Sequence, residues 1–293
     1  MVSRRALLGV GAASAAFVTA TSCKSSSRKI MDLPAPAADA RLHYGQDVLQ
    51  FGDLRLPHGA GPHPMAIVIH GGFWRARYGL AYAGHMAAAL AAAGIATWNV
   101  EFRRIGNPGG GWPGTFLDTA AVADYVRDLA KKYPLNLERV ISVGHSAGGH
   151  LAVWLAARHR IQQVDKLAGA DPIRLRGAIS LAGIVDLRRA WELKLGGGAV
   201  EELMGGPPAK VAERYRTGSP IELVPLGVKV RLLHGTEDSH VPIEIGNGYQ
   251  KAASRAGDDA RLVVLGGADH FALVDPRSEH WAAVEKTARE MLI

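Results

Sequence analysis

A single serine lies inside a glycine-rich motif that could carry nucleophilic chemistry. The motif G-H-S-A-G, centred on Ser146, follows the apolar stretch 140–144 and precedes the alanine-rich stretch 147–158. A strand, a sharp turn and a helix in that order are typical of a nucleophile elbow, which exposes the central hydroxyl at the start of the helix. Serine attacks a carbonyl carbon only when a positioned base accepts its proton. The sequence therefore predicts Ser146 as a nucleophile and requires a histidine and an acid elsewhere.

The histidine base is expected late in the chain. His270 lies five residues beyond the predicted strand 261–265 and is the best-placed imidazole. His240 lies too close to the loop that should carry the acid, and His280 falls inside the predicted last helix, 278–291. We therefore expect His270 to accept the proton of the serine.

The acid that orients this histidine is expected between Ser146 and His270 in the sequence. Sites built around such an elbow have the order serine, acid, histidine, with each partner just beyond a strand. Asp238 follows the predicted strand 229–234 and meets this condition. Glu237 and Asp186 remain alternatives.

Acyl transfer also needs N–H donors for the oxyanion that forms in the transition state. The run H-G-G-F-W at 70–74 directly follows the predicted strand 65–69, and its two glycines allow the backbone to turn N–H groups inward. We expect Gly72 and Phe73 to donate together with Ala147, and Gly71 is a further candidate in the same loop.

Aromatic residues beside these loops are candidates for the substrate pocket: Trp74, Trp112, His145 and Phe271. Trp112 belongs to the glycine-rich stretch 107–114, which lacks the Lys-Ser or Lys-Thr of a phosphate-binding loop. His145 and His150 have no second ligand at metal-binding spacing. We therefore predict neither a metal nor a cofactor.

These residues need a sheet to bring them together. Short apolar runs alternate with longer stretches of helical periodicity from residue 65 to the end of the chain. Strands that are apolar on both faces, separated by amphipathic helices, predict an α/β fold with a mostly parallel sheet covered on both sides. The stretch 188–225 breaks this alternation and is predicted to form a small insertion above the sheet.

Length and composition limit the other possibilities. The chain has 293 residues, 48% hydrophobic and 21% charged, which predicts one large globular domain with an appendage. Its net charge of +7 comes from basic residues that are scattered and not interleaved with aromatics, so we expect no nucleic-acid partner. The single cysteine, Cys23, excludes an intramolecular disulfide and a multi-thiolate metal site.

The amino terminus is predicted to be an export signal. Arg4 and Arg5 precede the uncharged stretch 6–20, as in twin-arginine signal peptides. Fifteen residues are too few for a membrane-spanning helix, which takes about 20. We therefore assign residues 1–22 to the signal and expect the folded domain over 41–293.

The sequence around the cysteine resembles the lipobox of bacterial lipoproteins. Ala20, Thr21 and Ser22 lead into Cys23, and the resemblance implies acylation of this cysteine and membrane attachment in the cell envelope. Residues 23–40, rich in serine, proline and alanine, are then expected to act as a flexible tether. A plain cleaved signal or an uncleaved membrane-tethering segment remains open.

The candidate site residues together resemble the α/β-hydrolase superfamily, and more narrowly the branch of hormone-sensitive-lipase-like esterases and kynurenine formamidases. Four stretches carry the resemblance: the H-G-G-x-W signature at 70–74, the elbow with its extension 148–151, Tyr44-Gly45, and 181–187. The resemblance covers about 41–293. It implies an α/β-hydrolase fold, a catalytic triad of Ser146, Asp238 and His270, and no cofactor.

Two features favour an ester as the substrate. Gly149 follows Ser-Ala-Gly, as in many carboxylesterases and in the bacterial feruloyl-esterase-like group, and the export signal argues against a cytosolic metabolite. We therefore predict a carboxylesterase acting on small acyl or aryl esters, with arylformamide hydrolysis as the alternative. A peptidase or acyltransferase on the same fold stays open. A non-catalytic surface-binding protein is disfavoured because all three triad residues are present in order, and the sequence leaves the oligomeric state undetermined.

Overall fold

The computed structural model describes residues 27–162 and 165–292. Eight strands in these residues form one sheet: β1 Ala40–His43, β2 Phe51–Arg55, β3 His63–Ile69, β4 Ala96–Val100, β5 Leu135–His145, β6 Gly177–Leu181, β7 Lys229–Gly235 and β8 Ala260–Leu265. The helices are α1 Ala83–Ala92, α2 Gly114–Asp124, α3 Val126–Ala130, α4 Ala147–Ala157, α5 Leu187–Glu192, α6 Ala199–Met204, α7 Ala212–Gly218, α8 Glu244–Arg255 and α9 Trp281–Leu292. In the same residues, three 3₁₀ helices span Ser27–Asp32, Arg158–Arg160 and Pro220–Leu223.

The sheet is mostly parallel, as predicted. Its strand order is β1-β2-β4-β3-β5-β6-β7-β8, with β1 and β2 antiparallel to their neighbours and β3 to β8 parallel. In the centre, Ile69 of β3 lies opposite Gly144 of β5, and Gly144 lies opposite Ser180 of β6. The carboxyl ends of these strands therefore meet at one edge, where the loops with the candidate site residues emerge.

Two apolar layers cover the two faces of the sheet. Alternate residues of β3 divide between them: Ile67 and Ile69 belong to the layer with Trp98 and Trp154, whereas Ala66 and Val68 pack in the layer that includes residues of α1 and α9. Side chains of a strand point alternately to opposite faces, so a strand covered on both sides must be apolar throughout. This explains the continuous apolar run at 65–69.

The predicted insertion is present between β6 and β7. It consists of α5, α6, α7 and the 3₁₀ helix Pro220–Leu223. Two buried side chains of α4 tie it to the main domain, because Trp154 donates to the carbonyl of Thr217 at 2.9 Å and His150 donates to that of Gly218 at 2.8 Å. The insertion is thus anchored directly behind the elbow.

The segment predicted as a flexible tether differs from the prediction from Ser27 onward. Ile30, in the 3₁₀ helix Ser27–Asp32, is fully buried in the layer with α1 and α9. The guanidinium of Arg55 donates to the carbonyl oxygens of Pro36 (2.6 Å) and Ala37 (3.0 Å). Apolar burial at one end and hydrogen bonds at the other hold this stretch against the domain.

The predicted export signal, 1–22, and Cys23 lie outside the described residues. Among the described helices, none is both long enough and apolar enough to cross a membrane.

Candidate active site

The turn at Ser146 has the geometry of a nucleophile elbow. β5 ends at His145, α4 begins at Ala147, and Ser146 between them has φ 57° and ψ −122°. A positive φ is costly for a residue with a side chain and persists only where the surroundings enforce it. Close packing does so here: a Cβ at Gly148 would lie 2.1 Å from the carbonyl oxygen of Ile69. The first turn of α4 can therefore approach the end of β3 this closely only with glycine at position 148.

Asp238 and His270 form a tight pair beside this turn. His270 Nδ1 donates to Asp238 Oδ2 at 2.7 Å, and Oδ1 of the same carboxylate accepts the N–H groups of His240 and Val241 at 2.8 and 2.9 Å. Burial opposes ionisation of Asp238, but these hydrogen bonds and the nearby imidazole outweigh it and lower the pKa to about 2. The carboxylate is thus charged and accepts the Nδ1 proton, which leaves Nε2 of His270 with a free lone pair.

The two alternative acids, Asp186 and Glu237, do not take the place of Asp238 beside His270. Asp186 caps α5, accepting the N–H of Arg189 at 3.0 Å, and the side chain of Glu237 is exposed. Asp238 is therefore the acid that the structure brings to the histidine.

The loop after β3 presents N–H groups next to the serine. Gly72 and Phe73 have positive φ angles of 109° and 51°. The hydrogen bonds of the described residues leave the N–H groups of Gly72, Phe73 and Ala147 without an acceptor. Gly71 differs, because its N–H donates to the hydroxyl of Tyr82 at 2.6 Å. The prediction of Gly71 as an oxyanion donor is wrong for this reason.

A buried ionic cluster holds the loop after β3 in place. This cluster was not predicted from the sequence. His70 Nδ1 donates to the carbonyl oxygen of Gly71 at 2.8 Å, and Nε2 donates to Glu101 Oε1 at 3.0 Å. Burial opposes ionisation of Glu101, but His70, Arg104 and the N–H of Phe102 outweigh it, so the pKa is lowered. The signal available in the sequence was a charged residue directly after the buried strand β4.

The serine and the histidine face one cavity of about 370 Å³. Its walls include Phe73, Tyr78, His145, His240 and Phe271. Of the four residues predicted for the substrate pocket, His145 and Phe271 line this cavity.

The other two predicted pocket residues are not, and that part of the prediction is wrong. Trp74 is 1% exposed, and its ring meets His150 edge-on at 5.3 Å within the core. Trp112 packs against Phe116, with ring centroids 5.0 Å apart. Phe73 takes the place in the cavity wall that was expected for Trp74.

The N-terminal 3₁₀ helix supplies a wall of the cavity that sequence reasoning did not expect. Arg28, Met31 and Asp32 line the cavity together with Arg77. The two arginines and the aspartate are exposed at its rim. The available signal was Ile30-Met31, a pair of large apolar residues within an otherwise polar stretch.

Three residues of the site could in principle ligate a cation. Donor atoms of Asp238, His240 and His270 all lie within 4.8 Å of one another. However, Nδ1 of His270 is already hydrogen-bonded to Asp238, and the imidazoles of His240 and His270 are stacked at 4.7 Å with an interplanar angle of 17°. Stacked rings do not point their nitrogens at one tetrahedral centre, so this arrangement fits a metal poorly.

The sequence matches a family model and a curated protein. The BD-FAE family model matches residues 53–252. The probable isoprenylcysteine alpha-carbonyl methylesterase ICMEL1 of Arabidopsis thaliana is 24% identical over an alignment of 255 residues, and the match covers 80% of this chain and 51% of that protein. The chain thus spans about half the length of that relative.

Solved structures of esterases share the fold. A truncated carbohydrate esterase from gut microbiota superposes with a TM-score of 0.75 at 21% identity and covers 88% of this chain and 97% of its own. Esterase 2 of Thermogutta terrifontis superposes with a TM-score of 0.69 in its butyrate-bound form, at 20% identity, covering 88% of this chain and 94% of its own. The sarin-phosphonylated form of the same esterase gives 0.71 at 20% identity, covering 89% and 96%.

These likenesses establish the α/β-hydrolase fold, and the family model covers well over half of the chain. The chain belongs to the BD-FAE family, an esterase family with the α/β-hydrolase fold.

Proposed function

We propose that the protein is a serine carboxylesterase that cleaves small acyl or aryl esters through an acyl-enzyme on Ser146. The main observation behind this proposal is that Ser146 and His270 line the same cavity. In addition, Nδ1 of His270 is hydrogen-bonded to Oδ2 of Asp238 at 2.7 Å. Around the same serine, the N–H groups of Gly72 and Ala147 have no acceptor among the residues that the structure describes.

These groups support the following mechanism, which is part of the proposal. Nε2 of His270 accepts the proton of the Ser146 hydroxyl as its oxygen attacks the ester carbonyl. The negative charge of the tetrahedral intermediate moves onto the former carbonyl oxygen, where backbone N–H groups stabilise it. His270 then gives its proton to the departing alcohol, which leaves an acyl group on Ser146. Water repeats the sequence and releases the acid, while ionised Asp238 stabilises the imidazolium at each step.

The size and lining of the cavity support a small substrate. A volume of about 370 Å³ lies near the lower end of the range for small-molecule sites, about 300 to 1,000 Å³. Phe73, Met31 and Phe271 give it apolar surface for an acyl or aryl group. A butyrate-bound relative with the same fold is consistent with a short acyl chain.

Arylformamide hydrolysis would use the same triad and differs only in the leaving group. The relatives named above are esterases, which supports the ester proposal over this alternative.

The test is turnover of a short-chain aryl ester, a feruloyl ester and an N-formyl arylamine by the purified protein and by Ser146→Ala. We expect the aryl ester to turn over fastest and kcat to fall by about 10⁴ to 10⁶ in the variant, which removes the nucleophile without opening a core cavity. A fluorophosphonate should label the wild type and not the variant. Full activity of Ser146→Ala would refute the serine mechanism, and faster cleavage of the formamide would restore the alternative.

We also propose that the protein is exported and held at the membrane through lipid on Cys23. The twin arginine at Arg4-Arg5 and the lipobox-like sequence support this location. Lipoprotein processing adds several acyl chains, and each buried CH₂ contributes about 0.8 kcal/mol to attachment. Fractionation of cells should find the native protein with membranes and Cys23→Ser released from them. Both proteins in the soluble cytosol would refute export.

A further inference from the structure

A chain of buried hydrogen bonds joins the loop after β3 to the candidate catalytic histidine. The N–H of Gly71 donates to the hydroxyl oxygen of Tyr82 at 2.6 Å. That hydroxyl lies 2.9 Å from Nδ1 of His145, and Nε2 of His145 lies 2.9 Å from the carbonyl oxygen of His270. All four residues are buried, so the chain has little competition from water.

The direction of every hydrogen bond in this network is determined by its two ends together with the neutral charge of His145. The carbonyl of His270 can only accept, so Nε2 of His145 carries a proton. Burial lowers the pKa of His145 to about 3, so its ring is neutral and Nδ1 has no proton. Nδ1 therefore accepts from the hydroxyl of Tyr82, which in turn accepts from Gly71. Each group is satisfied in one arrangement only.

We propose that Tyr82 and His145 are positioning residues that fix the oxyanion loop and the catalytic imidazole relative to each other. This inference rests on the proposed function. Gly71 directly precedes Gly72 and Phe73, whose N–H groups have no acceptor in the described residues, and the hydrogen bond to Tyr82 holds the peptide of Gly71 in place. At the other end, His145 holds the backbone of His270 itself.

The position of His145 in the elbow completes the argument. It is the last residue of β5 and directly precedes Ser146. One hydrogen-bonded chain thus links loops that follow β3, β5 and β8, which carry the oxyanion donors, the nucleophile and the base. A shift of about 1 Å between such groups can lower a rate about 100-fold, so their mutual placement matters for the reaction.

Tyr82→Phe tests the proposal, because it removes only the oxygen through which Gly71 and His145 are connected. We expect kcat for an aryl ester to fall about 10- to 100-fold while KM changes less than about twofold, since phenylalanine keeps the ring with which Tyr82 lines the cavity. Tyr249→Phe is the matched control: Tyr249 is also fully buried, but its hydroxyl has no hydrogen-bond partner among the described residues. We expect its kcat to be unchanged.

Two variants of His145 each remove one hydrogen bond of this series, and they test the proposal if Tyr82→Phe folds poorly. His145→Gln can keep a donor for the carbonyl of His270 but loses the acceptor for Tyr82, and His145→Asn can keep the acceptor but loses the donor. Both should lower kcat with little change in KM.

The outcomes are distinct. Folded Tyr82→Phe with wild-type kcat, or an equal loss in Tyr249→Phe, would overturn the inference and leave the proposed function intact. A wild-type protein without esterase activity, or an active Ser146→Ala, would refute the proposed function and this inference with it.

Discussion

We predict that buried His150 makes the stability of this protein dependent on pH. It lies in the first turn of α4 and is fully buried, with the rings of Trp74 and Phe116 edge-on at 5.3 and 5.7 Å. Its Nε2 donates to the carbonyl of Gly218, and its Nδ1 has no hydrogen-bond partner within the described part of the chain. Burial lowers the pKa of His150 to about 4 from its usual 6.5. The ring is therefore neutral in the folded protein at pH values where the unfolded chain is protonated.

The size of this effect follows from proton linkage. Between the two pKa values the unfolded chain binds one more proton than the folded protein, so the free energy of unfolding rises with pH in that window. The slope approaches about 1.4 kcal/mol per pH unit, and acidification from about pH 7.5 to about pH 5 should cost about 2 kcal/mol through this one residue.

The assay compares urea unfolding of the wild type and His150→Gln at several pH values between these limits. The glutamine amide can occupy the Nε2 position and donate to Gly218, but it does not titrate. The lost aromatic contacts lower stability equally at each pH and cancel in the comparison, as does the titration of His145. We expect the pH-dependent loss to be about 2 kcal/mol smaller in the variant. An identical pH dependence in both proteins would refute the assignment of a buried neutral His150.

Three substitutions test the acid beside His270, the elbow and the buried ion pair of Glu101. Asp238→Asn should lower kcat for an aryl ester by about 10⁴, because the histidine loses the group that fixes its tautomer. Glu237→Gln should keep kcat within about twofold of the wild type. A larger loss of kcat in Glu237→Gln than in Asp238→Asn would show that Asp238 is not the acid. Gly148→Ala should give no stable protein in a thermal melt followed by circular dichroism, since its Cβ would lie 2.1 Å from the carbonyl of Ile69; a wild-type melting temperature would contradict this. Glu101→Gln should lower the free energy of urea unfolding by about 3 to 5 kcal/mol, because it leaves buried Arg104 without its charged partner; a loss below about 1 kcal/mol would contradict it.

The parts of the fold and site that were predictable have local signals. The apolar run of β3 and the glycines around Ser146 are short-range features, and each reflects a contact that the neighbouring backbone enforces. Chain order and placement just beyond a strand then selected Asp238 and His270, since parallel strands bring their carboxyl ends to one edge. Helix boundaries are less accurate: the last helix, predicted over 278–291, begins at Trp281 and ends at Leu292.

The parts that were not predictable depend on partners distant in sequence. The N–H of Gly71 is occupied by a hydroxyl eleven residues further along the chain, which no pattern at 70–74 reveals. Trp74 turns into the core because the backbone at Phe73 and Trp74 has positive φ, and residue type alone does not give this direction. The stretch before β1 has the composition of a linker, yet Arg55 supplies donors for its carbonyl groups.

The N-terminal wall of the cavity bears on how the enzyme would face a membrane. Cys23 precedes Arg28, a residue of that wall, by five positions, and five residues span at most about 18 Å even when fully extended. Under the proposed lipidation, the entrance to the cavity is therefore held within about that distance of the lipid headgroups. The anchor would be a short tether that keeps the entrance of the cavity at the bilayer surface. Esters embedded in or adsorbed to that surface would then reach Ser146 more readily than esters free in solution.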